Sequence, residues 1–313
     1  MERTTLGRTG LSVSVMGLGC GGHSRLGLAT GGSEENAVAV VQRARTLGVN
    51  FFDTAEGYGT ETAVGKALAE TPRGEVVLST KVGPRGENGP RSPAGLTERV
   101  DGCLRRLGTD YVDVLHLHGV RAADYDHCRS ELVPALRALR DAGKIRFLGI
   151  TEAFGPDPSH EMLTRAVRDD CWDVMMVGFN LLNQSARERV FPVTQTKNIG
   201  VLDMFAVRRA LAKPDALREL VADLARQGRL DGRDWDKDDP LGFLLDGGAA
   251  SSMTDAAYRF CRYEPGVHVV LSGTGSVAHL EANAASLSAP PLPAEVTDRL
   301  RRLFAGIDSV SGN

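Results

Sequence analysis

Short apolar runs alternate along this chain with longer stretches in which apolar positions recur every three or four residues. The runs at 13–18, 49–53, 76–81, 112–118, 145–150, 174–178, 200–204 and 267–271 are mostly β-branched or apolar throughout. That pattern predicts parallel strands buried on both faces. Helical spacing covers 33–47, 62–69, 96–107, 130–142, 159–168, 187–195 and 254–262, and an eighth helix over 277–287 follows the last strand. Ser33 reads as an N-cap with acidic residues behind it. Gly48, Gly108 and Gly143 stand where a helix must end before the next strand.

Eight strands, each followed by a helix, predict an α/β protein built as a closed (β/α)8 TIM barrel. A doubly wound open sheet is the competing architecture. It needs a glycine-rich turn after the first strand, and Gly17-Leu18-Gly19-Cys20-Gly21-Gly22 only partly qualifies. No acidic ribose-binding residue follows a second strand in a clear βαβ unit. An N-terminal β-hairpin is expected ahead of the barrel. A long insert after the seventh strand, about 208–248, carries a helix near 215–226. Its charged stretch 229–239 reads as a solvated surface loop, with a lid over the barrel mouth as the functional alternative. Residues 294–307 predict an amphipathic helix packed on the barrel, followed by a frayed tail. Residues 1–313 are read as a single domain.

Composition narrows the partners more than the chemistry. A formal net charge of −3 gives no reason to expect nucleic acid or an anionic membrane. No apolar run approaches the roughly 20 residues that cross a bilayer. The first residues lead into no signal-peptide core. The five cysteines are scattered and never spaced as CxxC, which favours reduced thiols in the cytoplasm over disulfides or structural zinc. Oligomeric state stays open.

The C-terminal ends of barrel strands build the active site in this architecture. Here the second strand ends at Asp53, with Tyr58 just beyond it, the third at Lys81 and the fourth at His118. Neighbouring strand ends bring these four side chains within reach of one another.

The residues around them resemble the aldo-keto reductase superfamily. Gly48-Val49-Asn50-Phe51-Phe52-Asp53-Thr54-Ala55-Glu56-Gly57-Tyr58-Gly59 is similar to the family's aspartate–tyrosine signature, and Ser79-Thr80-Lys81 resembles its lysine motif. Tyr111-Val112-Asp113-Val114-Leu115-His116-Leu117-His118 resembles the histidine strand, and Gly143-Lys144-Ile145-Arg146-Phe147-Leu148-Gly149-Ile150 the fifth-strand motif. The likeness runs from Leu6-Gly7-Arg8 to about Asn283. It implies an oxidoreductase that moves a hydride between NAD(P)(H) and an aldehyde, ketone, alcohol or sugar lactol. A phenol ordinarily loses its proton near pH 10, and a cation beside it favours the ionised form. Tyr58 is accordingly the expected acid–base catalyst, Lys81 the cation, Asp53 the group that positions it, and His118 a hydrogen-bond partner for the substrate oxygen.

The resemblance also implies an extended dinucleotide across the mouth, NADP or NAD, with its adenosine end on Leu271-Ser272-Gly273-Thr274-Gly275-Ser276 and the following helix. The implied cofactor residues are Gly19, Asp53, Thr151, Glu152, Met204, Phe205, Gly273, Thr274, Ser276, His279 and Asn283. Several positions depart from the family pattern. His279 and Gly275 stand where relatives carry permanent cations for a 2′-phosphate, which leaves the choice between NADP and NAD open. Thr151-Glu152 replaces the usual Ser-Asn, and Met176 the usual glutamine. Met204 stands where an aromatic ring often stacks on the nicotinamide. If Glu152 faces that ring, it stabilises the oxidised cofactor and favours alcohol oxidation. Expected pocket walls are His23, Tyr58, Arg85, Val120 and Phe154. Gly119 replaces a bulky tryptophan and widens the pocket.

Two other readings compete. A cofactor-binding regulatory protein with little catalysis would keep the fold and lose turnover. A metal-dependent barrel hydrolase would use His116 and His118, which period-two geometry turns the same way. Against it, the remaining histidines lack companion spacing, and His116 reads as a barrel-layer filler with no metal bound.

Overall fold

The computed structural model describes residues 1–87, 89–230 and 235–313. Eight parallel strands close into a barrel: β1 (Met16–Gly19), β2 (Phe51–Asp53), β3 (Val77–Val82), β4 (Val112–Val120), β5 (Ile145–Glu152), β6 (Val174–Gly178), β7 (Gly200–Met204) and β8 (Val269–Ser272). Each strand pairs with its sequence neighbours, and β8 pairs with β1 to complete the ring.

Alternation along the strands sorts the side chains into two cores. Phe51, Val77, Val114, Val174, Met176, Leu202, Met204 and Val269 point inward and share one apolar cluster. Phe52, Leu78, Leu115, Leu117, Leu148, Ile150, Met175, Val177, Val201 and Val270 point outward into the larger cluster under the helices. Counting by twos from the inward set puts Asp53, Lys81, His116, His118 and Thr151 on the inner face and Glu152 and Asp203 on the outer one. The N-terminal hairpin, Arg3–Thr5 against Ser12–Ser14, stands below β1, and Leu6, Leu11 and Val13 fill the inner cluster from that end. The opposite end, where the strands finish, stays open for polar side chains.

Helices α1 (Glu34–Thr46), α2 (Glu61–Leu68), α3 (Pro93–Leu107), α4 (Val133–Asp141), α5 (Glu161–Ala166) and α6 (Phe191–Thr196) follow β1 to β6 in order. Ser33 caps α1 by accepting from the Asn36 amide, and Ser92 caps α3 through Gly95. The insert after β7 holds α7 (Pro214–Arg226), and α8 (Met253–Arg262) leads into β8. Then come α9 (Val277–Ser288) and α10 (Ala294–Leu303). Gly48, Gly108 and Gly143 take φ of 87°, 65° and 74°, the left-handed conformation that stops a helix.

Four expectations need correction. The run 13–18 is two strands, because the Ser14 hydroxyl turns back to the Met16 carbonyl at 2.6 Å and breaks it between hairpin and barrel. The stretch 187–195 is two short helices divided at Val190, whose φ and ψ of −121° and −52° leave the helical path just before Pro192. The helix expected over 130–142 starts regular turns only at Val133, after a wide turn over Cys128–Leu132. The tail is not frayed: Asn183 and Asn180 donate to the carbonyls of Val310 (2.8 Å) and Ser311 (3.3 Å), and the Ala210 amide to Gly312 (3.0 Å).

Within the charged stretch 229–239, residues 231–234 lie outside the described residues. Its ends are pinned: Arg229 pairs with Asp308 at 2.7 Å, Leu230 is buried, and Trp235 packs against the core. Residues 236–239 are exposed, as a solvated loop requires.

Candidate active site

At the open end, β2 and β3 lie in register with Asp53 opposite Ser79, and β3 and β4 with Lys81 opposite His116. That register makes Asp53, Lys81 and His118 neighbours. The Lys81 ammonium donates to Asp53 Oδ2 at 2.5 Å and to the Thr54 carbonyl at 2.8 Å, and Ser79 Oγ donates to Asp53 Oδ1 at 2.8 Å. Lys81 and Asp53 side chains are 1% and 4% exposed, so neither charge is solvated by water. Burial alone would lower the Lys81 pKa, but Asp53 first and Tyr58 next outweigh it and hold it above the ordinary lysine value.

Tyr58 follows β2 on a short turn, and its ring lies 4.9 Å from Lys81 Nζ. Its hydroxyl stands 3.2 Å from His118 Nε2, and the two rings meet edge to face. A Cβ on Gly21, in the loop after β1, would drive into the Tyr58 ring, so the absent side chain makes room for the phenol. Burial, and then the Lys81 charge, pushes the His118 pKa down to about 3, which leaves a neutral imidazole beside the hydroxyl. His116 sits one layer deeper, fully buried, with its ring over Gly149 where a Cβ would collide. Among the described residues no three His, Cys, Asp or Glu side chains converge to hold a metal ion.

The β5–β7 side is built differently. Thr151 faces inward and accepts the Gly119 amide at 2.7 Å. Glu152 does not face the mouth, contrary to the condition on which a role beside the nicotinamide depended. It points outward, where His160 Nδ1 lies 2.9 Å from Oε2 and the Gly178 amide donates to Oε1 at 2.7 Å. Burial pushes the Glu152 pKa up, against the pull of His160 and that amide. His160 takes a left-handed conformation (φ 62°) at the start of α5. Phe154 stacks on its ring at 5.4 Å and on Phe205 at 6.1 Å, and the Arg208 guanidinium covers Phe205 at 4.0 Å. Met176 and Met204 line the inner face beneath this column.

At the β8–α9 turn, Ser276 caps α9, Thr274 Oγ1 accepts the Ser276 amide at 3.1 Å, and Gly273 and His279 are exposed. Asn283 donates to Ser272 Oγ at 3.0 Å and so braces the turn from behind. A Cβ at Gly19 would sit in van der Waals contact with the β8–α9 turn, 3.8 Å from the Gly273 nitrogen. A Cβ at Gly275 would collide with the Gly27 backbone, and Asn36 binds the Gly275 carbonyl at 3.0 Å. The missing cation at 275 therefore has a steric cause, since the loop after β1 occupies its space. A small-residue turn at a helix start fits a dinucleotide's phosphates.

Of the expected walls, Val120 is buried in the outer core, Phe154 belongs to the aromatic column, and Arg85 pairs with Asp124 at 2.6 Å. Tyr58 stands in the mouth, and His23 is exposed in the loop after β1. Ser79, Gly21, His160 and Arg208 went unread in the sequence. For Ser79 a signal existed, because period two from Lys81 turns it toward Asp53. The others depend on loops meeting across the fold. All five cysteines are free, and among the described residues no helix is long and apolar enough to cross a membrane.

Comparison with known proteins places this geometry. Residues 16–305 match the family model described as the aldo/keto reductase family. L-galactose dehydrogenase of Arabidopsis thaliana is 41% identical over 157 residues, a match spanning 48% of each chain, so about half of that relative's length. D-threo-aldose 1-dehydrogenase of a Pseudomonas species is 31% identical over 222 residues, 62% of this chain and 65% of its own. The holo form of an aldo-keto reductase from Bacillus halodurans superposes with a TM-score of 0.73 at 27% identity, covering 97% of this chain and 96% of the other.

Proposed function

Because the chain belongs to the aldo/keto reductase family, whose members use NAD(P)H, we propose that it interconverts a carbonyl and an alcohol with Tyr58 as the acid–base group. The observation that carries this reading is the buried chain of contacts from Asp53 through Lys81 to the Tyr58 ring, ending with the phenol hydroxyl 3.2 Å from His118 Nε2. When bound, the nicotinamide supplies or takes the hydride.

The chain's own residues manage the proton. In reduction, Tyr58 donates its hydroxyl proton to the developing alkoxide, and the Lys81 ammonium stabilises the charge left on the phenol oxygen. Asp53 fixes that ammonium, and Ser79 fixes Asp53. Neutral His118 directs the substrate oxygen by hydrogen bonding. In the oxidative direction the same phenol accepts the proton.

Gly19, Gly273, Thr274, Ser276, His279 and Asn283 would hold the adenosine end, and Thr151, Met204 and Phe205 the nicotinamide end. The names of the two sugar dehydrogenases support a hydroxylated substrate, a sugar or small aldehyde, over a purely apolar ketone. The free thiols support a reducing, cytoplasmic setting. The test is a panel of aldoses, small aldehydes and ketones offered with NADH and NADPH, and of sugars with the oxidised forms, read by nicotinamide absorbance. Turnover of a carbonyl or sugar supports the reading. Tight dinucleotide binding with no turnover of any panel member opposes it.

A further inference from the structure

The backbone around Tyr58 is held lightly. Thr54 and Thr60 close the base of its turn through their hydroxyls at 2.8 Å. Above them Gly57 and Gly59, one on each side of Tyr58, are exposed, and a Cβ on either would meet nothing within 4 Å among the described residues. Gly59 takes a left-handed φ of 73°, which glycine adopts at no steric cost. Glu56 is the side chain that reaches out from the turn. Its carboxylate is 9% exposed and meets three donors. Oε1 accepts from the Gly83 amide at 3.2 Å and from Arg91 Nη2 at 3.4 Å, and Oε2 accepts from Arg99 Nε. Gly83 lies two residues beyond Lys81 at the end of β3, and Arg99 is on α3. Arg91 follows a two-stranded ribbon, Arg85–Gly86 against Gly89–Pro90. It is fixed in its turn, with Nε donating to the Gly83 carbonyl at 2.7 Å and its amide to the Pro84 carbonyl at 2.8 Å.

One carboxylate therefore fastens the turn that carries Tyr58 to the segment that delivers Lys81. Those are the two halves of the ammonium–phenol pair, whose ring and Nζ lie 4.9 Å apart. Reacting groups work when held to within about 0.5 Å, and a misplacement of about 1 Å costs about a hundredfold in rate. We propose that Glu56 is a positioning residue for proton transfer, keeping the Tyr58 hydroxyl in place between Lys81 and His118 by latching its turn to the end of β3 and to α3. It acts through Tyr58 and not on the substrate. The assignment rests on the oxidoreductase reading above, in which Tyr58 carries the proton.

The test is a double-mutant cycle on the full chain. Glu56→Ala removes the latch, and Glu56→Gln keeps one oxygen for the Gly83 amide but loses the charge. Each is made alone and on Tyr58→Phe. Single-turnover reduction of glyceraldehyde, or of the panel carbonyl that the wild type reduces fastest, is followed at saturating NADH or NADPH. Dinucleotide Kd and melting temperature are measured on the same preparations. A latch that places the phenol makes Glu56→Ala about tenfold to hundredfold slower and Glu56→Gln less so, with Kd within about twofold of wild type in both. On Tyr58→Phe, where no phenol hydroxyl is left to place, the same substitutions change the residual rate by less than about twofold. A Glu56→Ala rate within about twofold of wild type overturns the proposal. An equal fractional loss with and without the Tyr58 hydroxyl, as a merely structural role would give, overturns it too. Should Glu56→Ala fail to fold, Glu56→Gln carries the same comparison. A wild-type rate in Tyr58→Phe alone, or a wild-type chain that turns over nothing in the panel, would instead remove the reading of the site itself, and this assignment with it.

Discussion

On the β2–β4 side of the mouth, Asp53 is buried with an ammonium 2.5 Å away and a serine hydroxyl on its other oxygen. On the β5–β7 side, Glu152 and Asp203 are buried as deeply at the ends of their own strands, but on the outer face. Glu152 meets a histidine and a backbone amide, and among the described residues neither carboxyl oxygen of Asp203 has a hydrogen-bond partner. One side gathers opposite charges toward the reacting centre. The other turns its carboxyls away and stacks Phe154 and Phe205 under the Arg208 guanidinium instead. A cation in register offsets the cost of burying the Asp53 carboxyl, and among the described residues Asp203 has no such partner.

Three substitutions separate the two sides by experiment. Lys81→Met removes the cation while keeping the stem. Turnover should fall by about three orders of magnitude or more, and the orphaned Asp53 should cost about 3–5 kcal/mol in denaturant unfolding. A variant retaining a tenth of wild-type turnover would contradict a proton-handling role for the pair.

Glu152→Gln replaces the second carboxyl oxygen beside His160 Nδ1 with an amide NH2 and removes the negative charge there, so stability should drop by about 1–3 kcal/mol. Turnover at saturating substrate should stay within about threefold. A catalytic loss as deep as that of Lys81→Met would erase the distinction between the two sides.

Asp203→Asn should act most gently and in the opposite direction. Burial holds the Asp203 pKa well above the ordinary carboxylate value, whereas the unfolded chain releases that proton near pH ~3.9. The wild-type fold therefore loses stability as pH rises from there toward the folded pKa. The asparagine variant should be more stable by about 1 kcal/mol or more at neutral pH, with the gain shrinking toward about pH 4. Parallel stability–pH curves for variant and wild type would show that Asp203 does not carry this penalty.

The sequence made the strands of both sides readable, and the side-chain partners of the first side but hardly those of the second. Asp53, Lys81 and His118 end consecutive strands whose apolar runs mark them, and period two then fixes which way they face. Val174–Gly178 and Gly200–Met204 were found to the residue for the same reason. On the other side, Glu152 is one residue beyond the inward Thr151, and that single step sends it behind the sheet. The partner that holds it, His160, enters from a loop in a left-handed conformation that no local pattern announces. Phe205, with φ of 73°, and Arg208 take their places through contacts with Phe154 and the tail, which are distant in sequence. Strand-borne chemistry is legible because the pleat has a period. Loop-borne chemistry depends on which loops meet.

In the proposed mechanism the Tyr58 hydroxyl carries the proton. The most direct measurement is single-turnover reduction by Tyr58→Phe, with dinucleotide affinity determined on the same preparation. A proton-donating phenol requires a Kd within about twofold of wild type and a rate lower by about a thousandfold or more. A Tyr58→Phe variant that binds the dinucleotide and reduces the carbonyl at the wild-type rate would contradict it.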